Sequence, residues 1–300
     1  MTDIKWTTND IPDQKGRVAI ITGSNSGIGF ETALALAEKN AEVILAVRNQ
    51  AKGDAAMDKI RTLFPNAHVV VKRLDVANLA SVKDFADSFK SEFSRLDLLI
   101  NNAGIMVPPY GKTVDGFELQ FGTNHLGHFA LTSHLFDVLK STLKSRIVNV
   151  SSNAHKMGNL NVEDLSWEKR RYFNWKAYGD SKIANLYFTF ELMRKIQDKN
   201  LDMIATSAHP GLTDTELAKS AVSRLFNKLM AQKGAMGALP TLRAATGSAT
   251  KNGQYFGPSG LGEWKGYPVL VSPSNRAQDT EIARKLWAIS ESMTGLKFEI

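Results

Sequence analysis

The chain has 300 residues, 43% hydrophobic and 22% charged, a profile that fits a soluble globular protein and excludes a disordered or membrane-embedded one. It contains no cysteine, which excludes a disulfide framework and thiolate metal sites and fits a reducing, cytoplasmic setting. The net charge of +7 is spread along the chain without a basic block, so it suits an anionic small ligand and argues against nucleic acid.

Residues 1–15 are polar, lack the apolar stretch of a signal peptide and read as a loose arm. No apolar run reaches the roughly 20 residues of a spanning helix, so no membrane anchor is expected. Arg17-Val18-Ala19-Ile20-Ile21-Thr22 is a β-branched run suited to a buried strand. It ends in Gly23, Ser24, Asn25, Ser26, Gly27, Ile28 and Gly29, and helical spacing of Phe30, Ala33, Leu34 and Ala37 follows at once. Strand, glycine turn and helix together make a pyrophosphate cradle: glycine lets the backbone come close, and the helix start offers unpaired N–H groups.

The alternation continues with strands over 42–47, 68–73, 96–100, 146–150 and 203–208, and helices over 51–63, 81–93 and 117–139. The second strand ends in Ala46-Val47-Arg48-Asn49. An acidic residue there would bind a ribose 2′-hydroxyl, whereas Arg48 suits the 2′-phosphate of NADP. His125, His128 and His134 share one helix, but no nearby carboxylate completes a metal set, so packing and capping roles are expected and no metal site. A long helix over 175–195 carries Tyr178 and Lys182, spaced to share one face. The ammonium is expected to lower the phenol's pKa and tune it as an acid/base. Ile183, Leu186, Tyr187, Phe188, Phe190 and Met193 make this helix apolar on more than one side, which suggests a second copy of the chain as partner. Ser274 is expected to cap a last helix over 277–291. Six strand–helix alternations predict an α/β fold: one doubly wound parallel sheet with helices on both faces, in a single domain over 16–300.

These motifs, taken in order, resemble the short-chain dehydrogenase/reductase family over about residues 16–271: Thr22-Gly23-x3-Gly27-Ile28-Gly29, Asp75, Asn101-Asn102-Ala103-Gly104, Asn124, Ser151-Ser152, Tyr178-x3-Lys182 and Pro210-Gly211. Ser151-Ser152-Asn153-Ala154-His155, the run from Ala177 to Asn185 and Arg48 are similar to the branch holding retinol dehydrogenases, WW-domain oxidoreductases and light-dependent protochlorophyllide reductases. The resemblance implies a Rossmann-type sheet of seven strands in order 3-2-1-4-5-6-7, the seventh near 269–271. It implies that Tyr178 exchanges the proton with the substrate oxygen. Lys182 holds the nicotinamide ribose, Ser152 hydrogen-bonds the reacting oxygen with Ser151 as the competing choice, and Asn124 holds a water. It places Asp75 and Val76 at the adenine, and Asn101, Asn102, Ala103 and Gly104 along the adenosine. Pro210, Gly211, Thr213 and Thr215 would grip the carboxamide. It also implies a mobile substrate lid over about 213–235, and family members often pair as homodimers.

Three departures qualify the resemblance. An insertion over about 156–176 brings Trp167, Tyr172, Phe173 and Trp175, either over the substrate mouth or as a surface-packed loop. The hydrophobic N-terminal anchor of membrane-bound retinol dehydrogenases has no counterpart in residues 1–15, which points away from retinoids. The absence of cysteine points away from photoreduction. The expected activity is NADP(H)-dependent hydride exchange with a carbonyl or alcohol of an apolar small molecule. The competing readings are a nucleotide-binding regulator without turnover and a sugar-nucleotide epimerase or dehydratase. His155 and His209 flank the expected site and could touch substrate.

Overall fold

The computed structural model describes residues 5–212 and 232–300. The aliphatic runs form eight strands: β1 Val18–Thr22, β2 Glu42–Val47, β3 Val69–Arg73, β4 Leu98–Asn101, β5 Ser145–Val150, β6 Met203–Ala208, β7 Tyr255–Pro258 and β8 Pro268–Leu270. They make one sheet in the order β3-β2-β1-β4-β5-β6-β7-β8. Every neighbouring pair is parallel except β7 and β8, which run antiparallel with Phe256 opposite Leu270. The expected order therefore holds, with two corrections. The seventh strand is Tyr255–Pro258, and the segment at 268–270 returns beside it as an eighth. A four-residue strand containing Gly257 and Pro258 has no readable alternation, and those residue types normally argue against a strand.

Successive strand residues face opposite layers. Ile20, Ile44 and Leu99 pack with Val82, Phe85 and Phe89 of α3 (Leu79–Glu92), Phe129 of α4 (Gly127–His134) and Phe136 of α5 (Phe136–Ser141). Ile21, Leu45 and Ile100 pack with Leu36 of α1 (Gly27–Glu38) and Ile60 of α2 (Gln50–Leu63). Burial on both faces explains why β1, β2 and β4 read as unbroken aliphatic runs.

The helix carrying Tyr178 is α6, Asn174–Asp198, and it is buried almost throughout from Ala177 to Leu192. Its apolar sides are covered within the chain. One packs on the core through Phe188 and Leu192. Another meets Ala283 and Leu286 of the last helix. Trp287 and Phe298 close over Phe188 and Phe129 at ring separations of 5.2–6.4 Å. The apolar excess that suggested a second copy is thus met by the carboxyl-terminal segment.

Other boundaries differ for identifiable reasons. Residues 5–15 are no loose arm: Trp6 and Ile11 join the core under α1, and Gln14 is fully buried. The helix expected over 117–139 is divided into Leu119–Phe121, a π turn over Gly122–Leu126, α4 and α5. Here a β-carbon on Gly127 would lie 1.9 Å from the Val76 carbonyl oxygen, so the helix approaches β3's end more closely than any side chain allows. A further helix, α7, spans Gly234–Thr246, its pattern obscured by Pro240 and Gly237. The last helix, α8, spans Thr280–Thr294 and is capped by Asp279, whose carboxylate accepts the Glu281 and Ile282 N–H groups; Ser274 starts only a short 3-10 turn. Thr213 and Thr215, and most of the expected lid at 213–235, lie outside the described residues.

Candidate active site

At the carboxyl ends of the strands the layers part around a cleft of about 500 Å³. It is lined by Gly23, Asn25, Ser26, Gly27, Ile28 and Gly29 after β1, by Arg48 after β2, and by Asp75 and Val76 after β3. Asn102, Ala103 and Gly104 after β4, then Tyr178, Lys182 and Pro210, complete most of the remaining wall. The first turn is built for close approach. Gly23 has φ +66° and Gly27 φ +56°, values that favour glycine. A β-carbon on Gly29 would sit 2.5 Å from both the Asn102 Nδ2 atom and the Gly23 carbonyl oxygen. Ser26 makes no side-chain bond across the start of α1, and that first turn carries no acidic residue. Its N–H groups therefore remain suited to an anion. These features fit a dinucleotide pyrophosphate.

Three predicted cofactor residues do not line this cleft. Ser24 is buried, and its hydroxyl donates to the Ile21 carbonyl at 2.9 Å. Asn101 is buried and donates to Thr132 Oγ1 at 3.0 Å and Asn149 Oδ1 at 2.8 Å, tying β4 to β5. Gly211 turns the chain at φ +70° against the Trp264 backbone. Conversely, Asn49, Lys52 and Thr123 line the cleft without having been singled out. Asn49 caps α2 by accepting the Lys52 N–H at 3.0 Å, which sets Lys52 in the first turn beside Arg48. The spacing of a cap residue and a lysine three positions later was the available signal.

Tyr178 and Lys182 do share the cleft. The Lys182 Nζ atom is 5.7 Å from the centre of the Tyr178 ring and donates to the Val150 carbonyl at 3.2 Å. The expected lowering of the phenol pKa by this ammonium is not what the geometry gives. Burial, which disfavours the phenolate, holds Tyr178 above its ordinary value, and only the hydrogen bond with Ser152 works the other way. Burial also brings Lys182 down to about 8. The two serines divide cleanly. Ser151 is buried and donates to the Lys182 carbonyl at 2.8 Å, bracing α6 against β5. Ser152 accepts the Ala154 N–H at 3.1 Å, and a bond from it to the phenol would favour the phenolate.

Asn124 sits in the π turn, its side chain fully engaged: Oδ1 accepts the Ile105 N–H at 2.8 Å, and Nδ2 donates to Ile105 O and Ser181 Oγ at 3.0 and 2.9 Å. Gly104 lies where a β-carbon would meet Asn124 Oδ1 at 3.1 Å and Lys182 Nζ at 3.4 Å, so this glycine brings the two groups to one point.

The other side of the mouth is held by side-chain networks. In the insertion, Arg170 stacks on the buried Trp167 ring at 3.6 Å and pairs with Asp164 and Asp180 at 3.3 and 3.5 Å. The Tyr172 hydroxyl donates to the buried Glu118 carboxylate at 2.9 Å and accepts from Gln120 Nε2 at 2.9 Å. Thus the insertion is anchored, but Phe173 and Trp175 stay 55% and 54% exposed, with the Trp175 ring 6.5 Å from that of Tyr178. Opposite them, Glu263 accepts from His209 Nε2 at 2.8 Å and from Lys156 at 3.1 Å, and these partners hold its carboxyl down at about 2. His155 donates from Nδ1 to the Ser152 carbonyl at 2.7 Å, while Nε2 accepts the Ser274 N–H at 3.1 Å. Both histidines that could have touched substrate are therefore occupied in holding the wall. His125, whose Nε2 bonds Ser290, and His128, whose Nε2 bonds Thr22, do not converge on a common point. Among the described residues no cluster of potential ligands could hold a metal, and no helix is long and apolar enough to cross a membrane.

A glycine turn feeding a helix, with a tyrosine, a lysine and a serine gathered across the same sheet edge, defines a nucleotide-dependent oxidoreductase architecture. The chain belongs to the short-chain dehydrogenase/reductase family: the short chain dehydrogenase profile matches residues 17–225. Within that family it falls in the retinol dehydrogenase branch. It is 40% identical over 295 residues to human retinol dehydrogenase 13, covering 94% of this chain and 86% of that one. It is 40% identical over 301 residues to mouse retinol dehydrogenase 12, covering 98% and 90%. A crystal structure of an uncharacterised Mycobacterium paratuberculosis protein is 42% identical and superposes with a TM-score of 0.84, covering 99% of this chain and 100% of that one.

Proposed function

We propose that the protein is an NADP(H)-dependent oxidoreductase that exchanges a hydride between nicotinamide and a carbonyl or alcohol on an apolar small molecule. The observation that carries this reading is Tyr178 and Lys182 of α6 lining the same cleft as the glycine turn, with the Lys182 Nζ atom 5.7 Å from the Tyr178 ring centre. Bound nicotinamide supplies or accepts the hydride; the chain's own residues handle position and protons.

Gly23, Gly27 and Gly29 admit the pyrophosphate to the start of α1, and Arg48 with Lys52 attracts the adenosine 2′-phosphate. Ser152 and Tyr178 converge on the substrate oxygen, as fixed donors that stabilise charge developing there. A phenol held above its ordinary pKa stays protonated at neutral pH, which suits the donation needed for carbonyl reduction. A lysine brought near 8 sits close enough to working pH to pass a proton back to that phenol. Asn124 holds the Ile105 and Ser181 side of this path. Trp175 keeps an exposed ring 6.5 Å from that of Tyr178, where an apolar substrate would cover it. The names of the relatives, retinol dehydrogenases, favour an apolar alcohol or aldehyde.

The test is a panel of apolar and polar aldehydes and ketones, followed by NADPH consumption with NADH alongside. Reduction of the apolar members with NADPH preferred is the expected result. Equal or faster rates with NADH would remove the role given to Arg48, and no turnover with any member would favour a binding protein instead.

A further inference from the structure

We infer that His128 is a positioning residue whose ring joins the two halves of this site, linking the Thr22 hydroxyl, on which the Asn102–Ala103 turn hangs, to the main chain of Asn124. The inference rests on the oxidoreductase reading above only for the role it gives Asn124.

The hydrogen bonds leave one assignment of protons. His128 Nδ1 lies 3.1 Å from the Asn124 carbonyl oxygen. A carbonyl can only accept, so Nδ1 carries a hydrogen. The ring is 2% exposed, and burial lowers its pKa to about 4, so it is neutral at working pH and Nε2 has a free lone pair. The Thr22 hydroxyl oxygen lies 2.9 Å from Nε2. That oxygen already accepts the Asn102 N–H at 2.9 Å and the Ala103 N–H at 2.8 Å. Both lone pairs are used, so Thr22 has only its hydrogen to give, and Nε2 is nearer than the alternative, Ile100 O at 3.4 Å. The opposite neutral tautomer would set a lone pair against a carbonyl. The chain of bonds therefore has one polarity, from Thr22 through the ring to Asn124.

The place of this relay explains why it would matter. Thr22 ends β1 and Asn102 follows β4, and both border the cleft's cofactor side. Asn124 lies in the π turn and reaches Ser181 of α6, and in that turn the Gly127 N–H reaches back five residues to Gly122. A π turn breaks the regular ladder, and the His128 ring supplies a donor to a carbonyl inside it. The backbone of the same residue holds the next link: Thr132 Oγ1 donates to His128 O at 2.7 Å and accepts from Asn101 at 3.0 Å. Asn102's side chain adds a bond to the Thr22 carbonyl at 2.8 Å. One imidazole thus fixes the spacing between the turn that receives cofactor and the residue assigned to the proton path.

Two substitutions each keep half of the ring's bonding. His128→Asn retains an amide N–H where Nδ1 stood and loses the acceptor for Thr22. His128→Gln places an oxygen where Nε2 stood and loses the donor to Asn124. We expect the Asn variant to bind NADPH about tenfold more weakly with kcat nearly unchanged. The Gln variant is expected to keep its NADPH affinity and lose kcat about tenfold, the order of effect when a buried partner is left unpaired. In a Thr22→Val background, His128→Asn should weaken NADPH by less than about twofold more, because the two residues share one interaction. NADPH affinity is read by fluorescence titration and needs no turnover, so it tests the Thr22 side even if the wild-type chain reduces nothing, a result that would count against the oxidoreductase reading alone. Parallel losses of affinity and kcat in both single variants, or additive losses in the Thr22→Val background, would overturn the inference.

Discussion

The two sides of the cleft are built by different physics. On the cofactor side, the chain closes on itself at glycines: Gly29 on the Gly23 carbonyl and Gly127 on the Val76 carbonyl, at separations that exclude a β-carbon, with Gly23 tight against Ala103 at a positive φ. On the substrate side, side chains do the holding, through Arg170 on Trp167, Tyr172 on Glu118 and Glu263 on His209. Three non-glycine residues there adopt positive φ, namely Val107, Trp167 and Glu263, a conformation that costs energy unless its surroundings impose it. Val107 is imposed upon by Gln120 Oε1, which accepts its N–H at 2.9 Å, and by Asn174, which donates to its carbonyl at 3.3 Å. A surface made of close backbone contacts suits one fixed ligand. A surface hung from side-chain networks can change shape by substitution while the sheet beneath stays the same.

The largest effect that would break this contrast should come from Gly29→Ala. The added methyl meets backbone, so it cannot be relieved by a rotamer change. We expect NADPH affinity to fall about 100-fold, in line with overpacking costs of about 1–3 kcal/mol, and titration of the purified variant would show it. Arg48→Ala comes next. It should cut the preference for NADPH over NADH by about 10- to 100-fold, the worth of a charge-assisted bond; an unchanged ratio of kcat/KM values would assign the 2′-phosphate to other groups.

A stability effect, confined to acid pH, separates buried histidine from solvent. His155 is held near 4 by burial, below an unfolded value of about 6.5. Between those values the unfolded chain binds a proton that the folded chain does not. Stability should therefore fall as pH drops from about 6.5 to 4, by up to about 1.4 kcal/mol per pH unit from this residue, and level off below. His155→Gln should flatten that part of the Tm-against-pH curve. The smallest stability change belongs to Trp175→Ala. At 54% exposed the ring should leave Tm within the range of an ordinary surface substitution, about ±0.5 kcal/mol, while raising KM for apolar substrates several-fold. A polar substrate's KM should not move, and if it rises equally the ring is shaping the site rather than touching its ligand.

The same contrast governs what could be read before the structure. The β1 run, the glycine turn and the parallel alternation were legible because each is local: an aliphatic strand buried on both faces, then glycines where only glycine fits. Tyr178 and Lys182 were legible through helical spacing. What escaped depends on distant partners. The all-round apolar α6 looked like half of an interface because Trp287 and Phe298, about 100 residues later, cover it from within the chain. Asn101 looked like a cofactor residue by its neighbours in sequence, yet it points at Thr132 and Asn149. The phenol's environment was misread for the same reason: proximity of the lysine was readable, but the burial that raises the phenol's pKa was not. His128, read at first as a packing residue, acquires its partners only when β1 and the π turn are brought together.

The central claim is that Tyr178 exchanges a proton with substrate in a cleft that binds NADPH independently of it. Measuring NADPH affinity and carbonyl-reduction rate side by side in Tyr178→Phe tests this most directly, since the change removes one hydroxyl from a buried ring. The account predicts affinity within about twofold of wild type and a rate reduced by about 100-fold or more, the usual contribution of general acid catalysis. A variant that still reduces substrate at the wild-type rate would contradict it.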